Sequence, residues 1–189
     1  MVTIGIDASR ANAPRRTGAE WYAYHLIQAM KQLEEPGVEC VLLSREPLRD
    51  GLEQMPSHWG GRIVPWKHRP FWTLCGLSWE LWHRPVDLLF QPTHILPLFP
   101  PRRVVATLHD IGFVRLPNLY SVPNRLAHRL AARRAVSIAS RILTVSEFSR
   151  QEILTAYGAA PDRVSVTANA VDPAVYSSSI TVAHRMEVL

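Results

Sequence analysis

Strand-like and helix-like segments alternate along these 189 residues, which specifies an α/β domain: a parallel sheet with helices on both faces. Three features carry this. Short runs rich in Val, Ile and Leu recur, each too short for a core helix. Segments with helical spacing lie between them. A hydrophobic share of 47% against 20% charged residues supplies one buried core, and the length suits one domain rather than two.

Val2 to Asp7 (VTIGID) is β-branched and reads as a buried first strand. The loop ANAPRRTGAE follows. Tyr22, Leu26, Ala29, Met30 and Leu33 then recur at helical spacing, which predicts an amphipathic helix from about Thr17 to Leu33, stopped by Pro36-Gly37. Val38 to Leu43 is the second strand. Residues 44–61 are loop-like, with two prolines and three glycines, and Arg62 to Pro65 is a short third strand. The aromatic-rich FWTLCGLSWELWHRP is helical as far as Pro85. Asp87 to Gln91 is a short apolar run, and PTHILPLFPP is a loop. Val104 to Leu108 is the next buried strand and ends at His109-Asp110. A long helix runs from about Pro123 to Ala139, its proline placed where no N–H is needed. Arg141 to Val145 is a strand. Ser146 caps a helix ending near Tyr157-Gly158, and Val164 to Thr167 is the last strand. The tail, residues 177–189, has little periodicity and is expected to be weakly ordered.

Composition excludes several functions. Cys40 and Cys75 are the only cysteines, so a disulfide scaffold and a cysteine zinc site are ruled out; both are expected as buried free thiols. The opening MVTIGIDASR lacks the basic leader of a signal peptide, and no run approaches the roughly 18 apolar residues of a membrane span. The expected place is the cytoplasm, with a peripheral position on the inner face of a membrane as a further expectation. Between Arg102 and Arg150, nine arginines face only Asp110 and Glu147. Such a segment suits phosphate, anionic lipid or plain solvation. No nucleic-acid partner is expected, because no exposed aromatics interleave with the basic residues.

In parallel sheets ligands bind beyond the carboxyl ends of the strands. The loops to watch therefore follow Asp7, Gln91, Leu108 and Val145. Walker, G-x-G-x-x-G, H-E-x-x-H and G-x-S-x-G motifs are all absent. Neither a metal nor a cofactor is expected. In PRRTGAEW, Thr17-Gly18 opens the first helix, whose free N–H groups attract an anion, while Arg15 and Arg16 add guanidinium donors for phosphate. An ordinary turn is the plain alternative. His109-Asp110, a titratable pair at the end of a central strand, is the candidate catalytic pair. His25 is expected as a surface or core histidine. Arg125, Arg129 and Arg133, four residues apart, form a basic stripe suited to an anionic membrane or partner, with Leu126, Leu130, Ala127, Ala131 and Ile138 filling much of the other side. Arg134 falls beside those apolar residues and must find a partner. Trp66, Trp72, Trp79 and Trp82 divide between core packing and interface anchoring.

The order IGIDASR, TGAEWYAYHLIQAM, D-x-L-x-x-P-T-H, TLHDIGF, ILTVSEFSRQEI and N-A-V-D resembles the N-terminal half of retaining family-4 glycosyltransferases of the GT-B architecture, over about residues 2–176. The resemblance implies a Rossmann-like, acceptor-side domain over residues 1–176. It also implies a second domain that grips a nucleotide-sugar through an E-x(7)-E glutamate pair. Sugar would pass to a saccharide or lipid-linked acceptor with retained configuration, without enzyme-bound metal. Gly18 would lie near the donor diphosphate, and His109 would touch the donor sugar beside Asp110. Asn169 and Asp172 would sit near the interdomain crossing. The family's N-G is Asn169-Ala170 here, and this sequence has no E-x(7)-E pair. The expectation is therefore a chain without its donor domain, inactive or nearly so alone, needing that domain or a partner chain. The rival is a non-catalytic module that binds phosphate, nucleotide or membrane.

Overall fold

Seven strands build one parallel sheet in a computed structural model that describes residues 1–68 and 71–170. They are β1 (Val2–Asp7), β2 (Val38–Ser44), β3 (Trp59–Ile63), β4 (Leu88–Gln91), β5 (Val104–Thr107), β6 (Arg141–Thr144) and β7 (Val164–Val166). Their order across the sheet is β3-β2-β1-β4-β5-β6-β7, and every neighbouring pair is parallel. β1 lies inside the sheet, with Ile4 to Ile6 opposite Cys40 to Leu42 on one side and Leu88 to Phe90 on the other. Gly5 is needed there, since a Cβ would lie 3.1 Å from Val86 and 3.2 Å from Leu43.

Successive residues of a strand point to opposite faces, and two cores result. Leu43, Leu89, Val104, Ala106 and Ile142 face one of them, and Ile6, Leu42 and Phe90 the other. Helix α1 (Gly18–Met30) covers the second core with Ala23 and Ile27. The first is covered by α2 (Leu77–His83) with Leu77 and Leu81, by α4 (Val122–Ile138) with Ala132, Ala135 and Val136, and by α5 (Glu147–Tyr157) with Ile153. A short α3 (Gly112–Arg115) precedes α4. The expected helices on both faces are present.

Several elements depart from the sequence reading. β3 begins at Trp59, three residues before the expected start, because Gly60 and Gly61 hide strand propensity that edge pairing with β2 supplies. The aromatic helix begins as a π-turn, Trp72–Gly76, before α2. α3 and the 3-10 turn Pro117–Leu119 lie where a plain loop is expected. Cys40 is buried, but Cys75 is only partly so. Trp72 is buried and Trp66 packs partly against the core, while Trp79 and Trp82 are exposed. The tail 177–189 lies outside the described residues.

Candidate functional site

All seven strands end on one edge, and their order reverses between β1 and β4. The loops after these two strands leave in opposite directions and open a crevice. Its floor is polar. Asp7 ends β1 and Gln91 ends β4, each 1% exposed. The Asp7 carboxylate accepts the Gln91 side-chain amide at 2.8 Å and the Ser9 N–H at 2.9 Å. This pair ties the two central strands together exactly where the loops part, and the sequence reading passed over it. Its one sequence signal is a polar residue closing each of two buried strands.

The loop after β1 is fixed from below. Buried Asn12 donates to the Ser44 hydroxyl (3.2 Å) and the Pro47 carbonyl (2.9 Å), and accepts the Arg49 N–H (3.0 Å). Thr17 caps α1. Glu20, three residues on, accepts the Thr17 N–H at 3.2 Å and the Thr17 hydroxyl. Gly18 stands at the first helical position, and a Cβ placed on it would meet nothing within 4 Å. Gly18 therefore faces open space beside the Thr17–Glu20 cap. The two arginines differ. Arg15 is exposed and makes no hydrogen bond or ion pair among the described residues. Arg16 donates to the Ala11 carbonyl (2.6 Å) and to Asp50 (2.8 Å), and lies over the Tyr24 ring at 4.3 Å. Its guanidinium holds the loop together rather than facing the opening.

His109 follows β5 and reaches the same rim as α1. Tyr22, one turn beyond Gly18, meets the His109 ring edge-on at 4.6 Å between centroids. His109 Nε2 lies 3.3 Å from the Pro92 carbonyl. Burial holds the His109 pKa below its usual value, opposed by the Pro92 carbonyl, Asp110 and Glu20. The imidazole is neutral at neutral pH. A carbonyl can only accept, so Nε2 carries the hydrogen and Nδ1 is left as an acceptor. Asp110 is exposed and accepts the Gly112 N–H at 2.8 Å, opening α3. Behind His109, His94 Nε2 meets His128 Nδ1 at 3.0 Å, with Phe113 stacked on His128 at 5.5 Å. Burial and then the charge of His128 push the His94 pKa down to about 4.

A cleft of about 820 Å³ adjoins this rim. Its walls come from the loops after β1, β2 and β4, from the π-turn and from α4. Glu20 links the two places: it lines the cleft, and its charge acts on His109.

The remaining candidates lie apart. Asn169 is exposed just beyond β7, and Asp172 lies outside the described residues. On α4, Arg129 and Arg133 are exposed and Arg125 is partly so. Leu126 and Leu130 are 56% and 59% exposed, and α4 packs through Ala132, Ala135 and Val136. Arg134 finds its partners in the Leu96, Pro97 and Leu98 carbonyls, at 2.7–3.1 Å. His25 is exposed and stacks on Trp21. Among the described residues, no three His, Cys, Asp or Glu gather as a metal site, and no helix is long and apolar enough to cross a membrane.

The parallel sheet and its switch point define a Rossmann-like domain with the fold of one half of the GT-B architecture. Residues 16–175 match the model of Glycosyltransferase Family 4, and the chain belongs to that family. Crystal structures of Anabaena Alr3699/HepE share the fold. The complex with UDP-glucose has a TM-score of 0.58 at 20% identity, and the complex with UDP 0.58 at 19%. The complex with UDP and glucose has a TM-score of 0.57 at 20% identity. Each match covers 100% of this chain and 50% of the other, so the chain spans half the length of these structures. No curated protein matches it.

Proposed function

We propose that residues 1–176 form the acceptor-side domain of a retaining glycosyltransferase. The enzyme moves a sugar from a nucleotide-sugar to a saccharide or lipid-linked acceptor. One observation carries the reading: the first turn of α1 and the His109 imidazole meet at one rim through Tyr22. The helix end presents roughly half a positive charge and unpaired N–H groups to a diphosphate. Arg15 adds a free guanidinium beside it. His109 Nδ1 accepts a hydroxyl of the sugar or the acceptor, and Asp110 shapes the turn that follows. The UDP and UDP-glucose held by the Anabaena structures support a nucleotide-sugar as donor. The second domain, or a partner chain, supplies the rest of the donor site, and Asn169, just beyond β7, leads towards it.

Titration of the 189-residue chain with UDP-glucose, followed by NMR of the imidazole protons, tests this. His109 is expected to shift saturably together with the Gly18 amide, while His25 stays still. Shifts confined to other residues would remove both from the site. In an enzyme carrying both domains, His109→Ala is expected to lower kcat/KM by about 100-fold or more, with an unchanged thermal midpoint. Equal loss of activity and stability would make His109 structural. Nucleotide binding without turnover in that enzyme would favour the non-catalytic module.

A second reading concerns location. Val122, Leu126 and Leu130 are exposed on α4 beside Arg129 and Arg133. Such a face suits peripheral docking on an anionic inner membrane surface.

A further inference from the structure

The cleft beside the rim is divided into two unlike walls. One wall is polar: Ser9, Arg10 and Glu20 from the β1–α1 segment, and Arg45 and Glu46 after β2. Arg10 pairs with Glu20 at 2.9 Å yet keeps half its side chain exposed. The opposite wall is mostly apolar, with Leu74 from the π-turn, Ile95, Leu96 and Leu98 after β4, and Ala127 and Leu130 of α4; Thr73, Asn124 and His128 are its polar members.

A bare saccharide fits such a space poorly. Against most of one wall its hydroxyls would lose water and find few partners beyond Thr73, Asn124 and His128, and each unpaired polar group is costly. Carbohydrate faces can stack on aromatic rings, but Trp72, the one aromatic residue in this wall, is 4% exposed and presents little ring surface. The one cation in the wall, Arg134, is spent on the Leu96, Pro97 and Leu98 carbonyls. That contact satisfies the loop backbone and leaves the wall neutral in character. Nor does the apolar surface end at the cleft. Leu98 and Leu130 are half-exposed at its mouth, Phe99 follows Leu98, and Leu126 lies one turn from Leu130. The volume, about 820 Å³, is that of a ligand site rather than a packing defect.

We propose that this cleft takes a sugar carried on a long hydrocarbon chain. The sugar end meets Ser9, Arg10 and Arg45, and the chain runs along Leu74, Leu98 and Leu130. The proposal rests on the glycosyl-transfer reading and selects the lipid-linked acceptor over the free saccharide. Leu98 and Leu130 are specificity residues in it, since they contact the chain and not the sugar.

Calorimetric titration of the 189-residue chain with hexyl, octyl and decyl β-glucoside, each kept below its micelle threshold, tests it. Affinity is expected to rise roughly fourfold per added methylene, the fold-change of burying one CH₂. Leu98→Gln combined with Leu130→Gln should flatten that rise to under twofold per methylene. Both side chains are half-exposed, so the fold should survive, and an unchanged thermal midpoint checks it. Arg10→Ala should weaken all three ligands by a common factor and keep the rise. Affinity independent of chain length overturns the proposal. So does a rise that the double variant retains, or a decyl chain with an oligo-ethylene-oxide head binding as tightly as decyl glucoside. Free glucose binding as well as hexyl glucoside also overturns it, yet leaves glycosyl transfer standing with a free saccharide as acceptor. That broader reading fails on the His109 titration instead.

Discussion

Arg15 and Arg16 are neighbours in sequence and have separate fates in the fold. Arg16 ties Ala11 to Asp50 and covers Tyr24, whereas Arg15 points into the open. Arg16→Ala is expected to cost about 1–2 kcal/mol, from a charge-assisted hydrogen bond and a cation–π contact. Arg15→Ala should leave the urea midpoint alone and weaken nucleotide-sugar binding several-fold. Reversed effects would assign the two roles the other way. Nothing in the spacing of R-R distinguishes them, because the turn at Pro14 decides which one faces inwards. The His94–His128 pair was equally illegible, its members being 34 positions apart. It carries a pH dependence. His94 has a folded pKa of about 4, below its ordinary 6.5, pushed down by burial first and then by His128, His109 and Arg10, with Asp110 opposing. The unfolded chain therefore takes up more protons as pH falls below 6.5. Stability is whole above that value, declines towards pH 4 and levels off below it. From pH 7.5 to 4.5 this group should cost about 2.5 kcal/mol. Urea unfolding of the wild type and of His94→Asn at both pH values measures it. The variant should lose less over the interval by about that amount, and equal losses would refute the assignment.

Among the elements, those with strong periodicity were legible and those made by packing were not. β1, β2, β5, α1, α4 and α5 fall within a few residues of where Val/Ile/Leu runs, Pro123 and Ser146 place them. Ser146 accepts the Ser149 N–H at 3.0 Å, and Gly158 closes α5 in the left-handed conformation, φ 62°. β3 and the π-turn depend on neighbours the sequence does not reveal. In α4 the helix is plain in the sequence but the side that faces the sheet is not: close packing takes Ala132 and Ala135 and leaves Leu126 and Leu130 outside. That arrangement sharpens the membrane reading, since leucines and arginines share an exposed surface. Sedimentation with vesicles of 30% anionic lipid should pull down the chain, and neutral vesicles should not. Leu126→Asp with Arg129→Ala should abolish this without lowering the thermal midpoint. Binding that the double variant retains would place the contact elsewhere.

At the scale of the whole molecule, the alternation of strand and helix made the α/β class legible and the quoted motifs made the family legible. The location of the site was only half visible. His109 and Gly18 could be named from residues, but the Asp7–Gln91 tie and the two-walled cleft depend on strand order, which no local pattern fixes. Strand order also bears on activity. One edge of one sheet provides a helix N-terminus, an arginine and an imidazole, all on the same side of the ligand. A departing nucleotide diphosphate needs donors around it, arranged before the bond breaks, and a site from which water is excluded. A single rim open to solvent gives neither. The loss of one oxyanion donor alone typically costs 100-fold or more, and in the proposed enzyme a whole wall would come from the second domain. The 189-residue chain is therefore expected to bind a nucleotide-sugar weakly and to turn it over at under about a thousandth of the rate of an enzyme carrying both domains. Nucleotide release, measured with and without added second domain, checks this. Turnover by the lone chain within tenfold of the two-domain enzyme would show that the rim is a complete active site.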